Sequence, residues 1–517
     1  MSSLRTERRF VARRAALIAF APILAVCVHG AAATVDPGLL DRASREGSAD
    51  AIIVLADQSR PALSPLRVNS EPRLRRRALV AALHARADAA QFGLKEWFAA
   101  HHIVYRDYWI VNLIQARLPA SALRELAARG DIARIEPNAQ IALRLPEPEG
   151  ALVAEPQLAD ASSIPWGVAK IEAPEVWAAG VTGQGVVIGD ADTGNQWNHP
   201  VLKPQYRGWN GVTADHNFNW HDAVHDAQNE TVCGNDAPAP CDPVSHGTHT
   251  AGTMAGDDGP SAMPRHQVGV APGAKWIGCR NMDHTGFGSP ARYIECMQWM
   301  LAPTDLMGNH ENPDLAPDII SNSWSCTSGE GCTTGNEIAA AVATLVDAGV
   351  FYIASAQNSG SGCSTIIDPP ATYDEAFDVG ATDINDALAP FSSRGPVTGS
   401  NLMRPDLSAP GVTVYSSVSI PADSYGYKSG TSMSSPHVAG AAALLMSAFP
   451  ALKGHPDKVA AILRVTATTA GITNTPGVTQ SCGDTPITQW PNYMVGYGRL
   501  DAKNAWHEVV FINGFDN

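Results

Sequence analysis

Residues 430–440 read GTSMSSPHVAG and continue as AAALLMSAFP, a run of small and apolar residues that predicts a buried helix of about 18 residues. Pro436 is expected in its first turn, where a missing N–H costs little. The serines near the start, Ser432 among them, have two interpretations. They could cap free N–H groups, or one hydroxyl could be a nucleophile, since those N–H groups and the helix dipole stabilise negative charge. The choice depends on whether the rest of the chain supplies a general base.

Short apolar segments alternate with helical patterns from residue 164 onward, as in the helix EIAAAVATLVDAG that closes on Gly349. The segments that we interpret as strands are 186–192, 276–282, 318–324, 350–358 and 376–383. Continuous apolar strands alternating with helices predict an α/β fold, with a mostly parallel sheet covered by helices on both faces. The active site of such a sheet is expected at the carboxyl ends of its strands.

An aspartate and a histidine lie at two further strand–helix junctions. Asp192 ends the strand VVIGDAD, and His246 begins the small-residue stretch HGTHTAGTMAG. Alone, the first would usually form a turn and the second would be structural. The spacing of three between His246 and His249 argues against a metalloprotease helix, which needs a spacing of four and a glutamate. Together with Ser432 they provide an orienting acid, a base and a nucleophile, in the order Asp, His, Ser.

Three motifs resemble the active-site motifs of subtilisin-like serine proteases, namely DTG at 192–194, HGTHTAG at 246–252 and GTSMSSPHVAG at 430–440. The resemblance extends from about Ile164 to GYGRLDA at 496–502. Within it, SNSW at 321–324 is most similar to the bacillopeptidase F branch. It implies a subtilisin-like fold and a serine endopeptidase acting on polypeptides.

The resemblance also implies roles for individual residues. Asp192 would orient the histidine, His246 would be general base and acid, and Ser432 would attack the carbonyl carbon. An oxyanion donor is expected in a motif that usually ends Ala-Gly-Asn. Here the chain reads ASAQN, so Asn358 matches the donor and Gln357 departs from glycine.

Extended peptide is expected to lie along SNSWS at 321–325 as an added strand, with its P1 side chain between that edge and ASAQN. The predicted substrate-binding residues are Ser323, Trp324, Ser325, Ala356 and Gln357. Asp368, in the segment IIDPP, is a hypothetical pocket-floor residue that would favour Lys or Arg at P1.

Asp190 is a second departure from the family pattern. It precedes Asp192 by two residues, so both side chains project from one face of the strand. Two neighbouring carboxylates raise one pKa unless one is paired or hydrated. Asp190 could replace Asp192 as the triad acid, but we assign Asp192 because it precedes Thr-Gly, as the motif requires.

The first 33 residues have the layout of a secretory signal peptide, with an arginine-rich start, an apolar run of about 14 residues and a small-residue exit at Ala33. This run is too short to span a bilayer. The chain is therefore expected to be secreted, to the medium or the cell envelope.

Residues 34–144 predict a separate small unit. Strand 51–57, helix 74–100, two strands in 103–119, a helix ending at Gly130 and a last strand follow one another. This β-α-β-β-α-β order is that of a ferredoxin-like α+β unit. By resemblance the unit is an inhibitory propeptide that the enzyme removes near Arg144; a retained regulatory domain is the alternative. The linker 145–163 contains or follows the cut, and 164–517 is the catalytic domain.

Eight cysteines remain after the signal peptide, and an oxidising destination predicts disulfides among them. Cys233–Cys241 and Cys326–Cys332 are plausible local loops. Residues 34–144 hold 16 basic and 12 acidic residues, whereas residues 145–517 hold 15 and 38, a net charge of −23. Such an acidic body is a poor partner for nucleic acid or anionic membrane. It could attract the more basic N-terminal segment, and we expect a monomer.

No cofactor is required for the predicted chemistry, but structural calcium is possible. The insertion between the aspartate and histidine motifs holds six candidate oxygen ligands, Asp215, Asp222, Asp226, Glu230, Asp236 and Asp242. A solvated acidic loop is the alternative, because no EF-hand spacing is present. Two other functions stay open, a non-catalytic binding relative and a peptide ligase that transfers the acyl-enzyme to an amine.

Overall fold

The computed structural model describes residues 33–58, 71–142, 164–327, 332, 337–400, 402–479 and 481–514. The predicted signal peptide, apart from its last residue, and the predicted linker 145–163 lie outside the described residues.

Residues 33–142, the N-terminal unit, form a five-stranded sheet with three helices. Its elements are β1 (Thr34–Val35), α1 (Pro37–Glu46), β2 (Ala49–Leu55), α2 (Pro72–Ala100), β3 (Tyr105–Tyr108), β4 (Leu113–Leu118), α3 (Ala120–Ala127) and β5 (Ile132–Pro137). The strand order is β1-β5-β2-β4-β3, and all neighbours are antiparallel except β1 and β5. From β2 to β5 this is the predicted ferredoxin-like unit, whereas β1 and α1 were not predicted.

Successive side chains of β2 point alternately into two hydrophobic cores. Ile53 and Leu55 face its own core, where they join Leu94 and Phe98 of α2. Ile52 and Val54 face the other way and join the core of the main body, residues 164–514. The sheet is therefore buried on both faces, which explains the apolar run that predicts this strand.

The main body contains a seven-stranded sheet in the order β14-β13-β12-β11-β7-β9-β8, with every neighbouring pair parallel. The strands not yet named are β6 (Ile141–Ala142, at the end of the N-terminal unit), β7 (Val187–Asp192), β8 (Trp220–Asp222), β9 (Lys275–Arg280), β10 (Phe287–Gly288), β11 (Ile319–Asn322), β12 (Phe351–Ser355), β13 (Phe377–Thr382), β14 (Leu407–Pro410), β15 (Val414–Val418) and β16 (Ser424–Lys428). The last two form an antiparallel hairpin. The predicted parallel sheet is confirmed.

Helices cover both faces of this sheet. They are α4 (Trp166–Lys170), α5 (Ala173–Ala178), α6 (His246–Ala255), α7 (Pro290–Leu301), α8 (Glu337–Asp347), α9 (Thr431–Ala448), α10 (Pro456–Val465) and α11 (Ala502–Gly514). Phe351 and Ile353 of β12 pack with α6 and α9, whereas Tyr352 and Ala354 pack with α7 and α8. The side chains of this buried strand thus alternate between the two cores on either face of the sheet. Among the helices of the described residues, none combines the length and apolar character of a membrane span.

Four disulfides join the eight cysteines in pairs. Cys233–Cys241 and Cys326–Cys332 are the two loops that the sequence suggested. Cys279 on β9 is bonded to Cys296 on α7, and Cys363 is bonded to the distant Cys482. The last two pairings were not predicted from the sequence and are seen only in the folded structure.

Candidate active site

Asp192, His246 and Ser432 lie where β7 ends and where α6 and α9 begin. His246 Nδ1 is hydrogen-bonded to Asp192 Oδ1 at 2.7 Å, and both side chains are buried. Helices α6 and α9 pack against one another, which brings Ser432 to the same edge of the sheet. The three sequence-predicted residues therefore converge at the carboxyl ends of the parallel strands.

Two glycines allow β7 and α6 to approach this closely. Gly194 has φ +106°, and a Cβ there would collide with the carbonyl oxygen of Cys241. A Cβ on Gly247, beside His246, would collide with the carbonyl oxygen of Gly194. These contacts explain physically why a glycine stands two residues after Asp192 and another directly after His246.

Asp242 fixes the start of α6. Its Oδ1 accepts from Val244 N and Ser245 N at 2.9 Å, and its Oδ2 accepts from Thr248 N at 2.8 Å. The Thr193 hydroxyl donates to the same carboxylate at 2.9 Å. Asp242 therefore links the helix that carries His246 to the residue after Asp192, a role that sequence reasoning missed because it counted this residue only as a calcium candidate.

Ser432 and Ser323 exchange two hydrogen bonds. The Ser432 hydroxyl donates to the Ser323 carbonyl oxygen at 3.1 Å, and the Ser323 hydroxyl donates to the Ser432 carbonyl oxygen at 3.1 Å. Within the described part of the chain, His246 Nε2 has no hydrogen-bond partner. In this conformation the serine hydroxyl is therefore held by the neighbouring strand end rather than by the histidine.

The placement of Pro436 explains the second of these bonds. The prediction that Pro436 lies in the first turn is wrong, because α9 begins at Thr431 and Pro436 is inside it. A proline has no N–H for the carbonyl four residues earlier, which is that of Ser432. The helix therefore leaves this carbonyl free to accept from Ser323.

Asn358 follows β12 and is held against the start of α9. Its Oδ1 accepts from the Thr431 N–H at 2.9 Å and from the Thr431 hydroxyl at 3.1 Å. Because the amide oxygen is engaged in this way, the NH₂ group points away from Thr431. The preceding Gln357 has φ +75°, a left-handed conformation that favours glycine.

Gln357 braces the segment that contains Asp368. Its Nε2 donates to the Asp368 carbonyl oxygen at 2.5 Å, and its Oε1 accepts from Ile367 N at 3.3 Å. The Gln357 side chain, which a glycine would lack, thus connects the segment after β12 to residues 367–368 by hydrogen bonds. The Asp368 side chain is half-buried.

The other predicted substrate-binding residues lie on the same edge with different exposures. Trp324 is 2% exposed, and its ring stacks on Tyr293 with ring centroids 3.9 Å apart, so only its backbone can meet a peptide. Ser325 is half-buried. Ala356 is buried in a small apolar cluster with Ile366.

Asp190 is buried two residues before Asp192, the predicted triad acid. It accepts from Asn195 Nδ2 at 2.7 Å, and the Thr250 hydroxyl lies 3.2 Å from its Oδ2. Burial, and then the charge of Asp192, raise the pKa of Asp190 well above its usual range. Its environment therefore disfavours the charged form of Asp190, and its hydrogen bond with Thr250 ties β7 to α6.

His249 is a structural histidine. Its Nε2 is hydrogen-bonded to the Val414 carbonyl oxygen at 2.9 Å, and burial lowers its pKa to about 3. It is therefore a neutral imidazole that holds α6 to β15.

The six acids of the insertion all have protein partners. Asp222 accepts from Arg280 Nε at 2.8 Å and Nη2 at 2.7 Å, with both side chains buried. Asp226 pairs with Arg292, Asp236 with His225, Glu230 lies near Arg280, Asp215 caps a turn at Asn217, and Asp242 caps α6. Among the described residues no group of three or more His, Cys, Asp or Glu side chains is arranged to hold a metal ion. Calcium binding stays a prediction.

Comparisons with known proteins agree with this geometry. A family model described as Subtilase family matches residues 183–484, a range that contains the three predicted triad positions and Asn358. Bacillopeptidase F of Bacillus subtilis (strain 168) is 33% identical over 450 residues, which is 84% of this chain and 29% of that protein. Subtilisin E of the same strain is 29% identical over 350 residues, 67% of this chain and 74% of the relative. Subtilisin DY of Bacillus licheniformis is 32% identical over 312 residues, 60% of this chain and 94% of the relative. The chain thus spans less than a third of the length of Bacillopeptidase F.

Proposed function

The chain belongs to the subtilase family of serine endopeptidases, and we propose that it hydrolyses peptide bonds with Ser432 as nucleophile. The observation that supports this most directly is the buried bond between His246 and Asp192 at the edge of the sheet where α9 presents Ser432. A serine hydroxyl is a weak nucleophile until a base accepts its proton, and an oriented imidazole provides that base.

In the proposed reaction, Ser432 Oγ attacks the scissile carbonyl carbon while its proton passes to His246 Nε2. The tetrahedral intermediate collapses when His246 gives that proton to the leaving amine, which leaves an acyl ester on Ser432. Water then attacks the ester, its proton passes to His246, and the carboxylic acid departs as Oγ is reprotonated. Asp192 stabilises the imidazolium and holds its tautomer throughout.

Two groups would donate to the oxyanion in this proposal. The N–H of Ser432 belongs to the first turn of α9, where N–H groups lack intrahelical partners. The second donor is the Asn358 NH₂ group, whose oxygen is fixed by Thr431. Preorganised donors of this kind stabilise developing charge at no reorganisation cost.

The bond between Ser432 and the Ser323 carbonyl implies a role for substrate in activation. A peptide that adds to the edge at 321–325 would offer a backbone N–H to this carbonyl. That N–H would displace the Ser432 hydroxyl, which is then free to turn toward His246. Substrate binding and alignment of the nucleophile would therefore be one event.

We further propose that the chain is a secreted precursor, with residues 34–144 as an intramolecular inhibitor. The end of the N-terminal unit supports this, because β6 pairs antiparallel with β10, in the segment that follows the carboxyl end of β9. The chain is thereby directed along the edge of the sheet that carries the triad. We also propose that the chain acts on polypeptides, that it is located in the medium or the cell envelope, and that it is a monomer.

The test compares intact masses of the secreted wild type and Ser432→Ala. If the wild type begins between residues 144 and 163 while the variant keeps its N-terminal unit, self-processing and the nucleophile are supported together. If both chains stay full length and neither is labelled by a serine-directed fluorophosphonate, the proposed function is wrong. Equal shortening of both would instead mean that another protease cuts the chain, and fluorophosphonate labelling of the wild type alone would then decide.

A further inference from the structure

Helix α2 packs in two halves on two different partners. Its carboxyl half contributes Leu94 and Phe98 to the core of the N-terminal unit. Its amino half contributes Leu79, Val80 and Leu83 to the core of the main body. The 29-residue helix is therefore long enough to leave its own sheet and cover a second surface.

Two arginines in the first turns of α2 are buried in that surface. Arg75 and Arg76 are 5% and 4% exposed. Arg76 Nε donates to the Ala348 carbonyl oxygen at 3.0 Å and its Nη1 to the Ala316 carbonyl oxygen at 3.4 Å. Arg75 Nη2 donates to the Gly454 carbonyl oxygen at 2.6 Å. Guanidinium groups are suited to such contacts because their donors are fixed in a planar fork.

The main body is shaped and charged for these side chains. Ala348 directly follows α8, so its carbonyl lies at the negative end of that helix. A Cβ on Gly349 would collide with Arg75 Nη2, and a Cβ on Gly454 would collide with Pro72. A cavity of about 500 Å³ beside Arg75 is bordered by four acids, Asp347, Asp374, Glu375 and Asp457, and by His455 and Arg464. The excess of acid agrees with the charge difference between the two parts of the sequence.

This surface lies far from the triad in the fold. Ala316 precedes β11 and Ala348 precedes β12, so both carbonyls are at the amino ends of the parallel strands. Ser323 and Asn358 follow the carboxyl ends of the same two strands. The surface is therefore a separate contact at the opposite edge of the sheet.

We propose that the carbonyls of Ala316, Ala348 and Gly454 form an arginine-binding exosite, which retains the N-terminal unit by Arg75 and Arg76 after the chain is cut. The proposal rests on the proposed function in that it assigns the exosite to a cleaved precursor. The segment that occupies the exosite is residues 72–83 of the same chain. The exosite recognises two adjacent guanidinium groups at the start of a helix with an apolar face.

The test uses full-length Ser432→Ala chains that carry an introduced site for an unrelated protease within residues 145–163. Cutting then depends on the added protease, so failure of the proposed function leaves this experiment intact. The dissociation rate of the N-terminal unit is measured after the cut. Arg75→Gln/Arg76→Gln should release it roughly 10- to 100-fold faster or more, since buried carbonyl acceptors lose their donors.

The matched control is Arg77→Gln, whose side chain is 60% exposed and pairs with Asp314 at the surface. It should behave like the parent chain, because exposed pairs contribute little. Arg75→Lys/Arg76→Lys should resemble the glutamine pair, since an ammonium keeps the charge but lacks the fork. Equal retention by the glutamine pair and Arg77→Gln would overturn the proposal.

A measurement on the parent chain covers the case in which the variants do not fold. Argininamide and lysinamide are added to the cut parent at matched ionic strength. Faster release with argininamide supports a guanidinium site. Equal rates with both compounds, at concentrations up to 0.1 M or so, overturn it.

Discussion

Replacing Asp192 by asparagine separates the charge of the triad acid from its hydrogen bonds. Asp192 Oδ1 accepts from both His246 Nδ1 and Thr193 N, each at 2.7 Å. An asparagine keeps both bonds when its amide oxygen occupies the position of Oδ1. The Thr193 N–H therefore selects the orientation that preserves the tautomer of His246, and only the negative charge is lost.

The size of the effect follows from the charge that is removed. Unit charges about 4 Å apart attract by about 4 kcal/mol at an effective dielectric constant of about 20. Because about 1.4 kcal/mol changes a rate tenfold, Asp192→Asn should lower kcat by about 10³-fold. Asp192→Ala also removes the acceptor, and loss of the corresponding aspartate in the relative subtilisin costs about 3 × 10⁴-fold, a magnitude carried over from that enzyme. Asparagine should thus be about thirtyfold better than alanine at this position.

The assay is kcat on a chromogenic peptide with titrated active sites. Each variant carries the introduced protease site within 145–163, so that maturation does not depend on its own activity. Asp190→Asn is the matched control, because burial and the charge of Asp192 raise the pKa of Asp190 and so disfavour a charge there, and an amide can keep its bonds to Asn195 and Thr250. Equal activity of the asparagine and alanine variants at position 192 would refute the reasoning, since it would mean that the amide nitrogen faces His246.

Asn358→Ala should lower kcat about 10²- to 10³-fold with little change in KM, the effect known for this donor in subtilisin; an unchanged kcat would remove it from the oxyanion site. Asp222→Ala removes the hydrogen-bonded carboxylate of the buried Arg280 guanidinium and leaves the Glu230 carboxylate, 3.6 Å from Nη1, so urea unfolding of the inactive chain should show a loss near the lower end of about 3–5 kcal/mol. A loss under about 1 kcal/mol would contradict a paired interior charge. Burial alone would lower the pKa of His225, but its hydrogen bonds to Glu295 and Asp236 and the charge of Glu295 raise that pKa overall. Its stabilisation is therefore complete below about pH 6.5 and is lost as pH rises through the higher folded value. His225→Gln should therefore destabilise the chain at pH 5.5 and little at pH 9, and a pH-independent cost would exclude the charged pair.

The triad positions could be predicted because each is set by a short local pattern. Asp192 ends an apolar strand, His246 opens a small-residue helix, and both need glycine neighbours for close backbone contact. Parallel strands alternating with helices bring such junctions to one edge whatever the loops between them do. The convergence of the three predicted triad residues could therefore be predicted without the tertiary structure; their catalytic roles stay a proposal.

The support around the triad could not be predicted, because it depends on distant partners. Asp242 looked like one of several acids in a polar loop, and only the fold shows its carboxylate at the start of α6. Pro436 looked like a first-turn proline because the sequence does not fix where α9 begins. The exchange of bonds between Ser323 and Ser432 joins residues 109 positions apart.

The contacts of the amino half of α2 with the main body also could not be predicted from the sequence. A run such as RLRRR normally marks a solvated helix face, yet Arg75 and Arg76 are buried in this chain. Amphipathic spacing identifies an apolar face, but it does not say whether that face covers the helix's own sheet or another body. The net charges of residues 34–144 and 145–517 indicated that the two parts could attract one another, but they did not show which residues would be in contact.

Besides the apolar packing of β2 and α2 on the main body, the N-terminal unit makes two contacts at opposite edges of one sheet, and we expect these two contacts to act together. The pairing of β6 with β10 is only two residues long, and a short strand pair is weak by itself. The proposed exosite would hold the unit at the other edge, so that the released tail remains at a high effective concentration near the triad. Loss of either contact would then reduce inhibition by more than its own bonds suggest. Release of the active enzyme would require that the exosite be vacated or the helix α2 be cut, whichever is faster.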